Sequence, residues 1–242
     1  MGHFDGKVAV VTGGGTGIGL AIAKRFANEG AQVVIVGRGK ERLDEAVTQI
    51  GHGAYGVPAD VGKDEQIRAV FEPLERVDIL VTCAGTAVFG AIEELPTDRW
   101  RELFDGRFFG QMNACHYAVP KMPEGGVIML CSGIAGKIGL NLYSGGTALC
   151  GAVNALGRAL AVELAPKGIR VNVLSPGLIQ STASSSNLTE EQRADYGSQW
   201  VARIPLNRPG NPVDLAEAAQ FLALCEYATG MVLDVDGGWT AS

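Results

Sequence analysis

Residues 8–26 read VAVVTGGGTGIGLAIAKRF, and this stretch decides the fold. Val8, Val10 and Val11 belong to an apolar run of the kind that makes a buried parallel strand. Thr12-Gly13-Gly14-Gly15-Thr16-Gly17-Ile18-Gly19 then turns the chain sharply. Leu20, Ile22, Ala23 and Phe26 resume at helical spacing. Glycines let backbone approach a pyrophosphate closely, and a helix N-terminus offers that anion free N–H groups and a positive dipole end. Strand, glycine turn and helix stand here in the order a dinucleotide-binding unit requires.

Outward from that unit, strand and helix alternate. Gln32 to Val36 is a second short apolar strand, ending at Gly37-Arg38, and Gly39 to Ile50 has the pattern of an amphipathic helix. The end of the second strand is where such a fold meets the adenosine ribose. An acid there accepts from the 2′-hydroxyl of NAD, whereas an arginine suits the 2′-phosphate of NADP. Arg38 with Lys40 nearby, and no acid before Glu41, favours NADP(H) over NAD(H). Tyr55 to Ala59 is a third strand leading to Asp60-Val61, and Val77 to Val81 a fourth leading to Thr82-Cys83-Ala84-Gly85. Thr97 to Met122 reads as one or two long helices, Gly126 to Leu130 as a fifth strand, and Gly146 to Pro166 as a long helix. Ile169 to Leu174, Val213 to Leu224 and Met231 to Val235 complete the alternation. The expected fold class is α/β: a single-domain, doubly wound parallel sheet (a Rossmann fold) over residues 1–242, with helices on both faces. The polar, serine-rich segment near 179–204 has the character of a substrate cover.

Composition narrows the function classes. With 242 residues, 47% hydrophobic and 19% charged, the chain can bury one large core. A net charge of −6 argues against a nucleic-acid or anionic-membrane surface. The N-terminus MGHFDGK lacks a basic-then-apolar signal, and no stretch reads as apolar enough to span a bilayer. The five cysteines, at 83, 115, 131, 150 and 225, show neither CxxC nor Cys/His ligand spacing. They read as reduced thiols of a cytoplasmic protein, and no metal site is expected.

TGGGTGIG at 12–19, ADV at 59–61, DILVTCAG at 78–85, ALAVELAPKGIRVNVLSPG at 159–177 and ATGMVLDVDGG at 228–238 together resemble the short-chain dehydrogenase/reductase family over nearly the whole chain. The resemblance implies a nicotinamide cofactor and hydride exchange with an alcohol, carbonyl or imine. It implies that Gly13, Thr16, Gly17, Ile18 and Gly19 meet the pyrophosphate, Arg38 the 2′-phosphate, and Asp60 and Val61 the adenine. Ala84 and Gly85 would line the cofactor, and Pro176, Gly177 and Ile179 would flank the nicotinamide. The family's usual Asn before Ala84-Gly85 is Cys83 here. The family also implies a homodimer or homotetramer, and the small residues Gly151, Ala152, Ala155 and Ala159 on one side of the long helix would allow close helix approach.

The family's proton machinery is a tyrosine, a lysine four residues later, a serine and an asparagine. A free tyrosine titrates near pH 10, so it needs a nearby cation to exchange protons at neutral pH. Counted back without gaps from Pro176, the tyrosine post falls on Gly146 and the lysine post on Cys150. The serine post falls on Gly133 and the asparagine post on Arg107. A gapped alternative returns Ser132 and Tyr143 to their posts, but the fourth residue after Tyr143 is Thr147. The usual tetrad is absent on either alignment. Arg107 either orients an anionic or carbonyl substrate or forms an ion pair with Asp105 or Glu102. Tyr143, Ser132 and Arg107 are therefore the catalytic candidates. Two functions remain open: an NADP(H)-dependent oxidoreductase with a non-standard proton donor, or an inactive NADP(H)-binding protein acting as sensor, partner or non-redox enzyme.

Overall fold

The computed structural model describes residues 2–180, 189 and 197–242. Seven strands form one sheet: β1 (Val8–Thr12), β2 (Gln32–Gly37), β3 (Tyr55–Pro58), β4 (Ile79–Thr82), β5 (Val127–Cys131), β6 (Arg170–Pro176) and β7 (Val232–Val235). Their order is β3-β2-β1-β4-β5-β6-β7 and every pair is parallel. The order reverses direction between β1 and β4, and the crevice over that switch point is where doubly wound sheets bind ligands.

The helices are α1 (Gly17–Asn28), α2 (Lys40–Ile50), α3 (Asp64–Phe71), α4 (Thr97–Phe104), α5 (Gly110–Ala118), α6 (Ser144–Leu164) and α7 (Pro212–Leu224). Successive strand residues point to opposite faces, so the valine-rich strands feed two cores. Val10, Val34, Leu80 and Ile128 pack with Ile67 and Phe71 of α3, Ala114 of α5 and Leu149 and Val153 of α6. Val11, Ile35, Val81 and Met129 pack with Ile22 and Phe26 of α1, Leu43 of α2 and Ala219 and Leu222 of α7. The doubly wound sheet read from the sequence is thus the observed architecture, with element ends shifted by a residue or two.

Two expectations change. The stretch 97–122 is neither one helix nor two cleanly separated ones: α4 runs through a π-helical turn, Asp105–Phe109, directly into α5. Such a turn inserts one residue into the helix and swings the following side chains around the axis. The second change concerns hydropathy. By length and composition, Ser144–Lys167 is apolar enough to cross a membrane. Its buried side, including Leu149, Val153, Gly157, Ala161 and Leu164, lies on the sheet.

Candidate active site

The glycine turn between β1 and α1 has the shape its sequence suggests. Gly13 (φ +71°) and Gly17 (φ +53°) take left-handed backbone angles that favour glycine. A Cβ on Gly13 would stand 2.7 Å from the Ala84 nitrogen and the Cys83 carbonyl, and one on Gly19 only 2.3 Å from the Gly13 oxygen. The turn is therefore pressed onto the exit of β4, with no room for a side chain at Gly13 or Gly19. Thr16 caps α1 without a side-chain hydrogen bond, and no acid occupies the first turn. The first N–H groups of the helix, at Gly17, Ile18 and Gly19, are left available to an anion. A dinucleotide pyrophosphate fits this cradle.

At the end of β2, Arg38 is exposed and has no ion pair among the described residues. Lys40 is bound to Asp44 at 2.7 Å. A second cation, Arg42 on α2, passes the glycine turn, its Cγ 3.7 Å from where a Gly15 Cβ would stand. The sequence reading missed Arg42; its place one helical turn beyond Arg38 is the only local signal for it. Asp60 accepts from the Gly62 N–H at 3.0 Å, and Asn113 of α5 donates to the Val61 carbonyl at 3.2 Å, so α5 fixes this loop. Gly85 (φ +149°) lies beneath Arg107: a Cβ there would be 2.3 Å from the Arg107 Cγ. Beyond β6, the Gly177 N–H bonds the Val235 carbonyl at 3.0 Å, and Ile179 bridges to Gly210. Of the expected cover, 181–188 and 190–196 lie outside the described residues.

The proton end of the site is built around two glycines. Tyr143 immediately precedes α6, and its ring occupies the space above Gly146, where a Cβ would meet ring atoms at 2.1–2.5 Å. Gly145 is covered in the same way by the Trp100 ring of α4, with the nearest ring atom 1.8 Å from a Cβ position. Leu142 precedes Tyr143 with φ +57°, a costly angle for leucine, and its carbonyl accepts from Gly90 N–H at 2.8 Å. The Tyr143 ring stacks on Phe89 at 4.6 Å. Phe89 continues to Trp200 (5.6 Å), Trp200 to Trp239 (6.3 Å), and the Arg203 guanidinium lies 5.5 Å above Trp239. An aromatic wall thus runs away from the Tyr143 hydroxyl. Of the apolar residues in the sequence, Phe89, Trp200 and Trp239 are brought together in it.

Arg107 stands in the π-helical turn and reaches the same hydroxyl: its Nη1 donates to the Tyr143 oxygen at 3.3 Å and its Nη2 to the Ser132 carbonyl at 3.3 Å. It pairs with neither Asp105 nor Glu102, the latter being held by Arg99 at 2.5 Å. Burial works against its charge, but Tyr143, Cys150 and Cys131 around it raise its pKa further, so it stays cationic. The turn itself is clamped by buried Gln111, whose Nε2 donates to the Arg107 carbonyl (2.8 Å) and the Cys131 carbonyl (3.1 Å). Its Oε1 accepts from Thr82 (2.6 Å) and the Cys131 N–H (3.1 Å). Gln111 was not among the sequence candidates, because only the π-helical turn brings it to the tips of β4 and β5.

Ser132 is buried, and its hydroxyl donates to Asn154 Oδ1 at 2.7 Å. What it presents to Arg107 is its carbonyl. Positions 107, 133, 146 and 150 do lie together: a Gly133 Cβ would be 3.4 Å from Cys150 Sγ and 3.7 Å from the Pro176 carbonyl. Cys150 is buried on α6, and burial raises its thiol pKa. Among the described residues no group of three His, Cys, Asp or Glu converges to hold a metal. His116 is exposed on α5 with its ring edge-on to Tyr117, and Tyr117 packs beneath α5 and donates to Asp64 at 2.8 Å.

Known proteins resemble the chain along nearly its whole length. A family profile described as enoyl-(acyl carrier protein) reductase matches residues 13–240. An uncharacterized oxidoreductase of Methylorubrum extorquens is 37% identical over 250 residues, covering 98% of this chain and 99% of its own. A galactitol 2-dehydrogenase (L-tagatose-forming) of Cereibacter sphaeroides is 36% identical over 251 residues, covering 98% of this chain and 96% of its own. A solved structure of a short chain dehydrogenase/reductase family protein superimposes with a TM-score of 0.89 at 33% identity, covering 99% of both chains.

Proposed function

Since the chain belongs to the short-chain dehydrogenase/reductase family, we propose that it is an NADP(H)-dependent oxidoreductase that reduces a carbonyl or imine, or oxidises the matching alcohol or amine, with Tyr143 in place of the family's usual proton donor. The observation that carries this reading is the Tyr143 ring seated over Gly146 with its hydroxyl on Arg107. A tyrosine thus fills the tyrosine post from three residues upstream, and an arginine from the asparagine post brings the cation that Cys150 cannot. Bound nicotinamide nucleotide supplies or accepts the hydride. Arg107 donates to the Tyr143 oxygen, so the phenolic proton is free to go to a substrate oxygen or nitrogen. A cation then stands beside the oxygen that has given its proton up. Ser132 contributes by holding Arg107 through its carbonyl.

Arg38 and Arg42 support NADP(H) over NAD(H), since neither has an ion pair among the described residues and they stand at the end of β2 and beside the glycine turn. The aromatic wall supports an apolar, flat substrate rather than a polyol, with the segment near 179–204 as its cover. Exposed Phe109, Met112 and Val162 on the α4–α5 and α6 surfaces support assembly as a homodimer or homotetramer, and a monomer in sedimentation overturns that part. Five free cysteines fit a cytoplasmic setting.

The test is NADPH consumption with a panel of aromatic and aliphatic ketones and imines. Turnover is expected, and Tyr143→Phe lowers kcat/KM by about 10²–10⁴-fold while leaving the NADPH dissociation constant unchanged. A second reading, an NADP(H)-binding protein without redox chemistry, is favoured by the Ser132 hydroxyl being committed to Asn154. Tight NADPH binding with no turnover on any panel member would select it.

A further inference from the structure

Two cysteines stand at the C-terminal edge of the sheet, Cys83 after β4 and Cys131 at the end of β5. Thr82 of β4 is in register with Leu130 of β5, so the next rung sets Cys83 opposite Cys131 at the strands' C-terminal tips. Same-rung residues of parallel strands point to the same face, and neighbouring strands lie about 4.7–4.9 Å apart, inside the ~4.4–6.8 Å span of Cα atoms that a disulfide bridges. Each of the two thiols perturbs the ionisation of the other. Both residues are half-buried, at the ends of their strands and not in their middles. Arg107 reaches over this rung, and Gln111 pins the Cys131 backbone from both its N–H and its carbonyl.

We propose that Cys83 and Cys131 are a peroxide-responsive thiol pair at the floor of the cleft, with Cys131 the attacking and Cys83 the resolving sulfur. The Cys131 thiolate attacks one oxygen of hydrogen peroxide, the O–O bond breaks, and hydroxide leaves to be protonated to water. The sulfenic acid on Cys131 is then attacked by the Cys83 sulfur. The S–O bond breaks, the S–S bond forms, and a second water carries away the Cys83 proton and the sulfenic oxygen. In total two thiols and one peroxide give one disulfide and two waters.

The position of Arg107, held on the Ser132 carbonyl next to Cys131, assigns the order of attack, and the electrostatics agree with it. The Cys83 thiol bonded to it and the Arg107 charge hold Cys131 below the usual thiol range, against burial. The bond to Cys131 and burial push Cys83 well up. Burial pushes Cys115 up to about 12 and raises Cys150, so these two are the inert pair.

The experiment uses the full, reduced chain exposed to hydrogen peroxide, alkylated, and mapped by mass spectrometry without reduction. The expected product is one chain that has lost two thiols, with the Cys83 and Cys131 peptides linked and lighter by two hydrogens, reversed by dithiothreitol. In Cys83→Ser, Cys131 is expected to be trapped by dimedone as the sulfenic acid. In Cys131→Ser, Cys83 is expected to oxidise about tenfold more slowly or less. The wild-type map alone overturns the proposal if the linkage joins two chains, if losses spread evenly over all five cysteines, or if no thiol reacts before denaturation. Equal labelling of the two serine variants overturns the order of attack.

Discussion

Replacing Gly146 by alanine puts helix propensity and tertiary packing on opposite sides. Alanine is favoured over glycine within a helix by up to about 1 kcal/mol, so propensity alone makes Gly146→Ala stabilising. The structure gives the other sign. The new Cβ would lie 2.1–2.5 Å from the Tyr143 ring, far inside contact distance, and a ring held by Phe89 at 4.6 Å and Arg107 at 3.3 Å has no free direction to retreat. Overpacking costs about 1–3 kcal/mol, and losing the aromatic pair a further ~0.5–1.5 kcal/mol. Set against the propensity gain, a net destabilisation of about 2 kcal/mol is expected. For a chain of this size that lowers Tm by about 4–8 °C. The same change made in Tyr143→Ala meets no ring and is expected to raise stability by up to about 1 kcal/mol. Thermal and urea denaturation of the four proteins in the cycle measures the difference, an expected coupling of about 3 kcal/mol. If Gly146→Ala stabilises both backgrounds equally, the Tyr143 ring is not over Gly146, and the proton-donor assignment falls with it.

Three other outcomes follow from separate parts of the chain. Arg38→Ala combined with Arg42→Ala is expected to weaken NADPH binding about tenfold or more, as the loss of charge-assisted contacts to a phosphate does, while NADH binding stays unchanged in parallel titrations. Gln111→Leu strips the π-helical turn of its clamp, taking a partner from the Cys131 N–H and from the Arg107 and Cys131 carbonyls; about 2–4 kcal/mol of stability is expected to go, and kcat to fall with the NADPH dissociation constant intact. At the opposite edge of the sheet, buried Asp78 accepts from Arg76, Lys7 and the Val8 N–H. Burial would raise its pKa, but those bonds hold it lower than an ordinary carboxylate. Its stabilisation is therefore complete above the unfolded value near pH 3.9 and lost as pH falls through the lower folded value. Urea denaturation should show the gap between wild type and Asp78→Asn constant at neutral pH and closing only in that acid range.

The half of the site that was legible in the sequence is the half made of neighbours in sequence. From Val8 to Phe26 the strand period, the glycine turn and the helix period follow one another, and each constrains the next, so the cradle at Gly13–Gly19 needs no tertiary information. Arg38 is legible for the same reason, being the residue at which a strand ends. The other half depends on space left empty. Gly145 and Gly146 read as weak helix positions, and only the fold reveals that Trp100, some 45 residues upstream, and Tyr143 fill the volumes those glycines leave. Alignment places Arg107 at the asparagine post but leaves open whether it faces a substrate or pairs with Asp105 or Glu102. It becomes part of the site because the π-helical turn inserts a residue and Gln111 accepts the strain of that insertion through the freed carbonyl. A proton donor that reaches its post from a displaced position leaves no motif at the post itself; the trace it leaves is the missing side chain. Glycine where a family keeps tyrosine is therefore as consistent with a second ring moved into the gap as with a lost activity. In this chain the Tyr143 ring does stand in that gap, and NADPH turnover is what separates the two.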